Sequence, residues 1–242
     1  MINMYEYEDE LYNKGISYIA GVDEVGRGPL IGPVVAACCV LPKDFKLEGL
    51  TDSKKLSEKK RNIFSDYIKE NAIAYGIGEI SPEIIDEVNI YEATKIAMKE
   101  AIKQVQEQIN VEHILIDAMP LELDIPSTSI IKGDAKSISI AAASVLAKVY
   151  RDNLMYELDE KYPMYGYKSH KGYPTKKHVE AINGAAVELA SVHIQQVLRV
   201  FAQQLWRGVE CRIQTDIGGD NQVRIQQSHF FLQERSVSVK RG

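Results

Sequence analysis

Residues 19–35 read IAGVDEVGRGPLIGPVV, and the fold turns on how this stretch divides. Tyr18 to Val22 is short, apolar and β-prone, so it reads as a strand. It stops at a dense polar signal, Asp23-Glu24-Val25-Gly26-Arg27-Gly28-Pro29. Val34 to Leu41 is a second apolar run and reads as a buried strand. Leu50 to Lys55 is a polar loop, and Ser57 is placed to cap a helix reaching about Glu70. Ile73 to Ile80 reads as a third strand, and three early strands on short connections suggest an antiparallel meander.

Ser81-Pro82-Glu83 opens a short helix with proline in its first turn. Tyr91 to Gln108 has the pattern of a long amphipathic helix. His113 to Ile116 is a strand ending at Asp117. Ser127 to Ile131 is another, followed by Lys132-Gly133-Asp134-Ala135-Lys136-Ser137. From Ile138 to about Lys161 the pattern is helical, and Ala141, Ala142 and Ala143 allow this helix to lie flat on the sheet. Strands first, then alternating helix and strand, predict a mixed α/β sheet flanked by helices.

The 242 residues suffice for one large domain, or a domain with a small appendage. Cys38 and Cys39 are adjacent in an apolar run and Cys211 stands alone, which fits small core residues in a reducing cytosol rather than a metal or redox site. The acidic, polar start, Met1 to Glu10, lacks the basic and apolar regions of a signal peptide. The near-apolar stretch Leu30–Leu41 is too short to span a bilayer. Together these features predict a cytoplasmic protein with no membrane contact.

Four acids follow strand ends: Asp23 and Glu24 after the first, Asp117 after the fourth, Asp134 after the fifth. Neighbouring residues on a regular strand face opposite sides, so Asp23 and Glu24 share a site only if the chain bends there. The glycines that follow make a bend easy. Four converged carboxylates repel one another and raise one another's pKa unless cations intervene. Mg²⁺ accepts carboxylate, water and phosphate oxygens. Two such ions about 3.5–4 Å apart can clamp the attacking and leaving oxygens of a phosphodiester. Taken singly, each acid reads as a surface or capping residue; four after strand ends, beside basic clusters, read as a shared site.

A net charge of −5 is awkward for a nucleic-acid binder. Two divalent ions would offset most of it, and the positive charge is clustered. Lys54, Lys55, Lys59, Lys60 and Arg61 form one run; Lys168, Lys171, Lys176 and Lys177 form another. Either run taken alone reads as a solvated face. Gly26-Arg27-Gly28 offers backbone donors and acceptors that could meet a ribose 2′-hydroxyl, while Arg27 reaches a phosphate. A tight turn explains GRGP as well. Tyr173 stands among lysines, where it either stacks on a sugar or base or packs in a surface turn.

These segments together resemble bacterial ribonuclease HII. The matching pieces are IAGVDEVGRGPLIGPVV from Ile19, LTDSKKLSEKKR from Leu50, VNIYEAT from Val88 and LIDAM from Leu115. IIKGDAKSISIAAASVLAKVYRD from Ile130 and YPMYG with HKGYPTKKH from Tyr162 complete the set. The sister family, ribonuclease HIII, departs from GRG and carries an extra N-terminal domain. The resemblance implies a ribonuclease H-like fold with a helical C-terminal portion; a monomer is expected. It implies that Asp23, Glu24, Asp117 and Asp134 bind two Mg²⁺ or Mn²⁺ ions. Gly26, Arg27 and Gly28 would recognise the ribonucleotide, Tyr173 would stack on the sugar at the RNA–DNA junction, and Lys54, Lys148 and Arg151 would contact phosphates. Substrates would be RNA–DNA hybrids and single ribonucleotides embedded in duplex DNA, cut on the 5′ side. That implies roles in repair and replication. Another metal nuclease of the same fold, or a non-catalytic nucleic-acid binder, would share some of these features. The absence of GxxxxGK[ST] argues against a P-loop enzyme.

The resemblance covers roughly residues 4–183, which sets a catalytic domain at 1–183 and an atypical tail at 184–242. The tail holds six arginines, Arg199, Arg207, Arg212, Arg224, Arg235 and Arg241, against one lysine, Lys240. It also holds the only tryptophan, Trp206. Such a shift suggests a reading-frame change, a fusion or a divergent appendage. Val187 to Leu205 has a helical pattern, and Gln196 to Phe201 is faintly similar to a sliding-clamp peptide.

Overall fold

The computed structural model describes residues 3–188, with side chains through Asn183. Two compact units divide after Pro174, 1–174 and 175–242. In the second, the described part is helix α7, Lys176–Glu188. The boundary expected after Asn183 falls within that helix; the helix expected over 187–205 lies outside the described residues beyond Glu188, as does the clamp segment.

The first unit holds a five-stranded sheet in the order β3-β2-β1-β4-β5. The strands are β1 (Ile19–Val25), β2 (Val34–Val40), β3 (Ala74–Ile80), β4 (His113–Asp117) and β5 (Ser127–Ile130). β1, β2 and β3 form the antiparallel meander; β4 runs parallel to β1, and β5 parallel to β4. This is the mixed α/β sheet that the sequence predicts. The remaining helices are α1 (Glu6–Asn13), α2 (Glu58–Asn71), α3 (Pro82–Val88), α4 (Ile90–Gln106), α5 (Ile138–Lys161) and α6 (Tyr167–His170). Ser57 caps α2 by accepting from the Lys60 amide at 3.3 Å.

Strand alternation sorts the core into two layers. Ala20, Val22, Ala36 and Cys38 meet α4 residues such as Ala97 and Ala101 on one face. Val35, Ala37 and Cys39 meet the alanine run of α5, with Phe64 and Ile68 of α2, on the other. Both helices press unusually close, and strand glycines make room. A Cβ on Gly21 would stand 2.1 Å from the Ser139 carbonyl carbon, and one on Gly78 would stand 2.0 Å from the Ala97 oxygen. Cys38 and Cys39 are buried and unoxidised, as expected of core residues. Among the described residues no helix is long and apolar enough to cross a membrane.

One boundary matters for the site. β1 does not stop at Val22: pairing to β2 continues through Asp23↔Ala37 and Glu24↔Ala36 to Val25↔Val35. The expected break before the carboxylates is absent, because β2 offers a matching ladder along the whole stretch.

Candidate active site

Parallel pairing of β1 and β4 sets Val22 beside Ile116, so Asp23 and Asp117 follow at the same strand ends. β5 then leads through Lys132, in the left-handed region at φ 58°, into a 3-10 turn, Gly133–Ala135, that carries Asp134. Ala118, directly after Asp117, is also left-handed at φ 45°. Strained backbone thus flanks both aspartates, as functional sites often show. The Gly133 amide donates to Asp117 Oδ1 at 2.6 Å and ties the two turns together.

Carboxylate oxygens of Asp23, Asp117 and Asp134 lie within 4.8 Å of one another. Glu24 stands outside this trio, as expected of the next residue on an unbroken strand, yet the Asp117 charge still raises its pKa. One Glu24 oxygen accepts from Arg27 Nη1 at 3.4 Å. The other, Oε2, is buried without a hydrogen-bond partner. A buried carboxylate oxygen in that state is costly unless a cation or water meets it.

The electrostatics are those of acids packed without counter-charge. Burial, then the Glu24 and Asp117 charges, hold the Asp23 carboxyl well above its usual range, against hydrogen bonds from Ser144 and the Glu24 amide. Burial, then Asp52 and Asp117, raise Asp134. Burial raises Glu24, against the opposing pull of Arg27. An all-oxygen donor set that resists ionisation fits a hard divalent ion such as Mg²⁺ or Mn²⁺.

Three contributors escaped sequence reading. Asp52 shares a hydrogen bond with Asp134 and caps the Lys54 amide at 2.9 Å. Ser53 and Ser144 hydroxyls lie 2.9 Å apart in the core, and Ser144 also reaches Asp23. All three stand in the LTDSKK and AAAS segments, but neutral serines carry no charge signal that would mark them.

The basic residues sort into two kinds. Lys54 is exposed; lost hydration works against its charge, but Asp23, Asp52, Asp134 and Tyr173 outweigh it and raise its pKa. Lys54 therefore lies beside the acidic site. Arg151 and Lys148 are held by the protein itself. Arg151 is fully buried, donating to the carbonyls of Pro33 (3.0 Å), Ile31 (2.9 Å) and Lys171 (3.0 Å). It fastens loops together. Lys148 is largely buried and paired with Asp152 at 2.6 Å, an acid that also holds Arg61 at 3.5 Å.

The glycine loop and the tyrosine meet. Gly26 takes φ 109°, and a Cβ there would stand 2.6 Å from the Pro33 oxygen. Tyr173 is exposed, and its ring lies 3.3 Å from where a Gly28 Cβ would be.

A five-stranded mixed sheet with strand-end carboxylates gathered at one edge of its parallel part defines an α/β protein of the ribonuclease H-like class. The family model for ribonuclease HII matches residues 20–203, running past the Asn183 boundary. Ribonuclease HII of Bacillus mycoides KBAB4 is 61% identical over 181 residues, 75% of this chain and 70% of that protein. That of Bacillus cereus Q1 is 59% identical over 186 residues, 77% and 72% of the two chains. This chain belongs to the ribonuclease HII family, and it is a ribonuclease H-type hydrolase by that membership.

Solved structures agree on the fold. Ribonuclease H2 of Pyrococcus horikoshii OT3 aligns with TM-score 0.63 at 24% identity, over 78% of this chain and 99% of that one. Ribonuclease HII of Archaeoglobus fulgidus, solved with PCNA, gives 0.59 at 26% identity over 72% and 90%. The Bst ribonuclease HIII solved with Mn²⁺ gives 0.61 at 16% identity over 78% and 70%.

Proposed function

We propose that this chain is an endonuclease that hydrolyses the RNA strand of RNA–DNA hybrids and cuts on the 5′ side of single ribonucleotides in duplex DNA. Asp23, Glu24, Asp117 and Asp134 would hold two divalent cations, Mg²⁺ or Mn²⁺. Bound there, the ions would supply an activated water and charge neutralisation for in-line displacement at phosphorus. The products would carry a 3′-hydroxyl and a 5′-phosphate.

The chain's own groups would do the rest. Lys54 would draw the scissile phosphate toward the carboxylates. Backbone groups of Gly26 to Gly28 would exchange hydrogen bonds with the ribose 2′-hydroxyl, the one feature that separates RNA from DNA at a given sugar. Tyr173, packed over Gly28, would present its open face to the neighbouring sugar. Ser144 would hold Asp23 in its rotamer. Contact with a sliding clamp is a further part of this reading, supported by the archaeal relative solved with PCNA.

One observation carries the proposal: three carboxylates from three separate chain segments share a point, beside a fourth whose buried oxygen lacks a partner. The test is cleavage of an end-labelled duplex containing one ribonucleotide, with and without Mg²⁺ or Mn²⁺, with the product ends mapped. Metal-dependent scission 5′ of the ribonucleotide is expected. Scission of an all-DNA duplex at a comparable rate, or none of either, would sink the reading.

A further inference from the structure

Tyr173 is set by the turn before it, and that turn is unusual. Lys171 and Gly172 are both left-handed, at φ 51° and φ 83°. A lysine there is strained and needs local restraint. The restraint is His170, a buried residue with a hydrogen bond at each ring nitrogen. Its Nδ1 accepts from the Gly172 amide at 3.2 Å, and its Nε2 lies 2.9 Å from the Tyr165 carbonyl. An amide N–H can only donate and a carbonyl only accept, so Nδ1 is bare and Nε2 carries the proton. Tyr167 stands edge-on to the ring, centroids 5.9 Å apart, and fixes its plane. The pinned turn is then joined to the glycine loop, because the Gly172 carbonyl accepts from the Leu30 amide at 2.8 Å.

We infer that His170 is a positioning residue for ribonucleotide recognition: it pins the Lys171–Gly172 turn, and the turn sets Tyr173 over Gly28. This rests on the proposed function. It differs from a role in general stability, because one ring nitrogen matters to Tyr173 more than the other.

Two variants separate the nitrogens. His170→Asn keeps a short acceptor for the amide two residues on, the geometry of an Asx-turn. His170→Gln gives that up while its longer amide can still reach Tyr165. With a one-ribonucleotide duplex in Mg²⁺, His170→Gln is expected to lose about 10-fold in kcat/KM, since small misplacements of a positioning group cost factors of this size. The loss on a uniform RNA–DNA hybrid should stay within about 3-fold, and His170→Asn should stay within about 3-fold on both. On a Tyr173→Ala background the glutamine variant should add less than about 2-fold, the mark of two residues acting through one contact.

Equal losses in the two variants, including failure of both to fold, would overturn the inference. So would an undiminished penalty on the Tyr173→Ala background. Hydrogen exchange at the Leu30 and Gly172 amides reads the same pin without turnover. It should quicken in His170→Gln and not in His170→Asn. Unchanged exchange in both would also overturn the inference. If the wild type cuts nothing, the ribonuclease reading falls, while the exchange experiment still decides what His170 holds.

Discussion

At the ends of β1 and β4, Asp23, Asp117 and Asp134 crowd together, and a Glu24 oxygen lies buried without a partner. In the loops beside them, residues 26–33 and 170–173, the opposite holds. Arg151 spends its donors on three carbonyls, His170 uses both ring nitrogens, and Leu30 closes onto Gly172. One region is held in an electrostatically costly state by its surroundings; the other is hydrogen-bonded and is what does the holding. The difference teaches where to look for chemistry. Crowded acids can be relieved by an added ion, whereas a buried arginine with a carbonyl at each of its three nitrogens is built into the scaffold.

Asp117→Asn should break the first region most sharply. Cleavage is expected to fall by about 1,000-fold or more, a barrier rise of about 4 kcal/mol. The metal-free protein should be slightly more stable in urea, because a repelling charge is gone. Near-wild-type cleavage would remove Asp117 from the machinery. Arg151→Met should break the second region instead. Leaving three buried carbonyls without their donor should cost about 3 kcal/mol of folding stability, read by urea unfolding. Loss of activity with stability unchanged would make Arg151 a substrate contact after all.

Gly28→Ala probes the seam between loops. Its Cβ would stand 3.3 Å from Tyr173 Cε1, so the ring must yield by a few tenths of an ångström. About 5-fold slower cutting at a single ribonucleotide is expected, with little change in melting temperature. The smallest effect is on pH dependence. Asp23 and Asp134 hold protons in the folded chain above the value near 3.8 that applies unfolded. Their stabilisation is therefore complete below that pH and is lost as pH rises through the folded pKa. Melts in EDTA from pH 4 to 7 should fall with pH, and saturating Mg²⁺ should flatten the slope. A rise with pH would contradict the sign.

Much of this was legible in one dimension. Apolar, β-prone stretches marked β1 to β4, and acids closing those of β1 and β4 and following β5 announced a shared site, because parallel strands end together. The end of β1 was misread: a glycine-rich, charged stretch looks like a turn until β2 supplies a partner for each residue through Val25. The partners of Arg151 and Lys148 were illegible for a related reason. A basic residue in a specific motif looks like a phosphate ligand, and only packing reveals that three carbonyls or Asp152 already claim it. Ser144 and His170 gave no sign, since their roles lie wholly in what the fold sets against them.

The most direct test is calorimetric titration of the full chain with Mn²⁺ near neutral pH, comparing wild type with Asp117→Asn. Two bound ions in the wild type, with at least one site lost or weakened about 10-fold or more in the variant, is the expected result. No saturable binding by the wild type, or identical isotherms for the two proteins, would contradict a cation site built from these carboxylates.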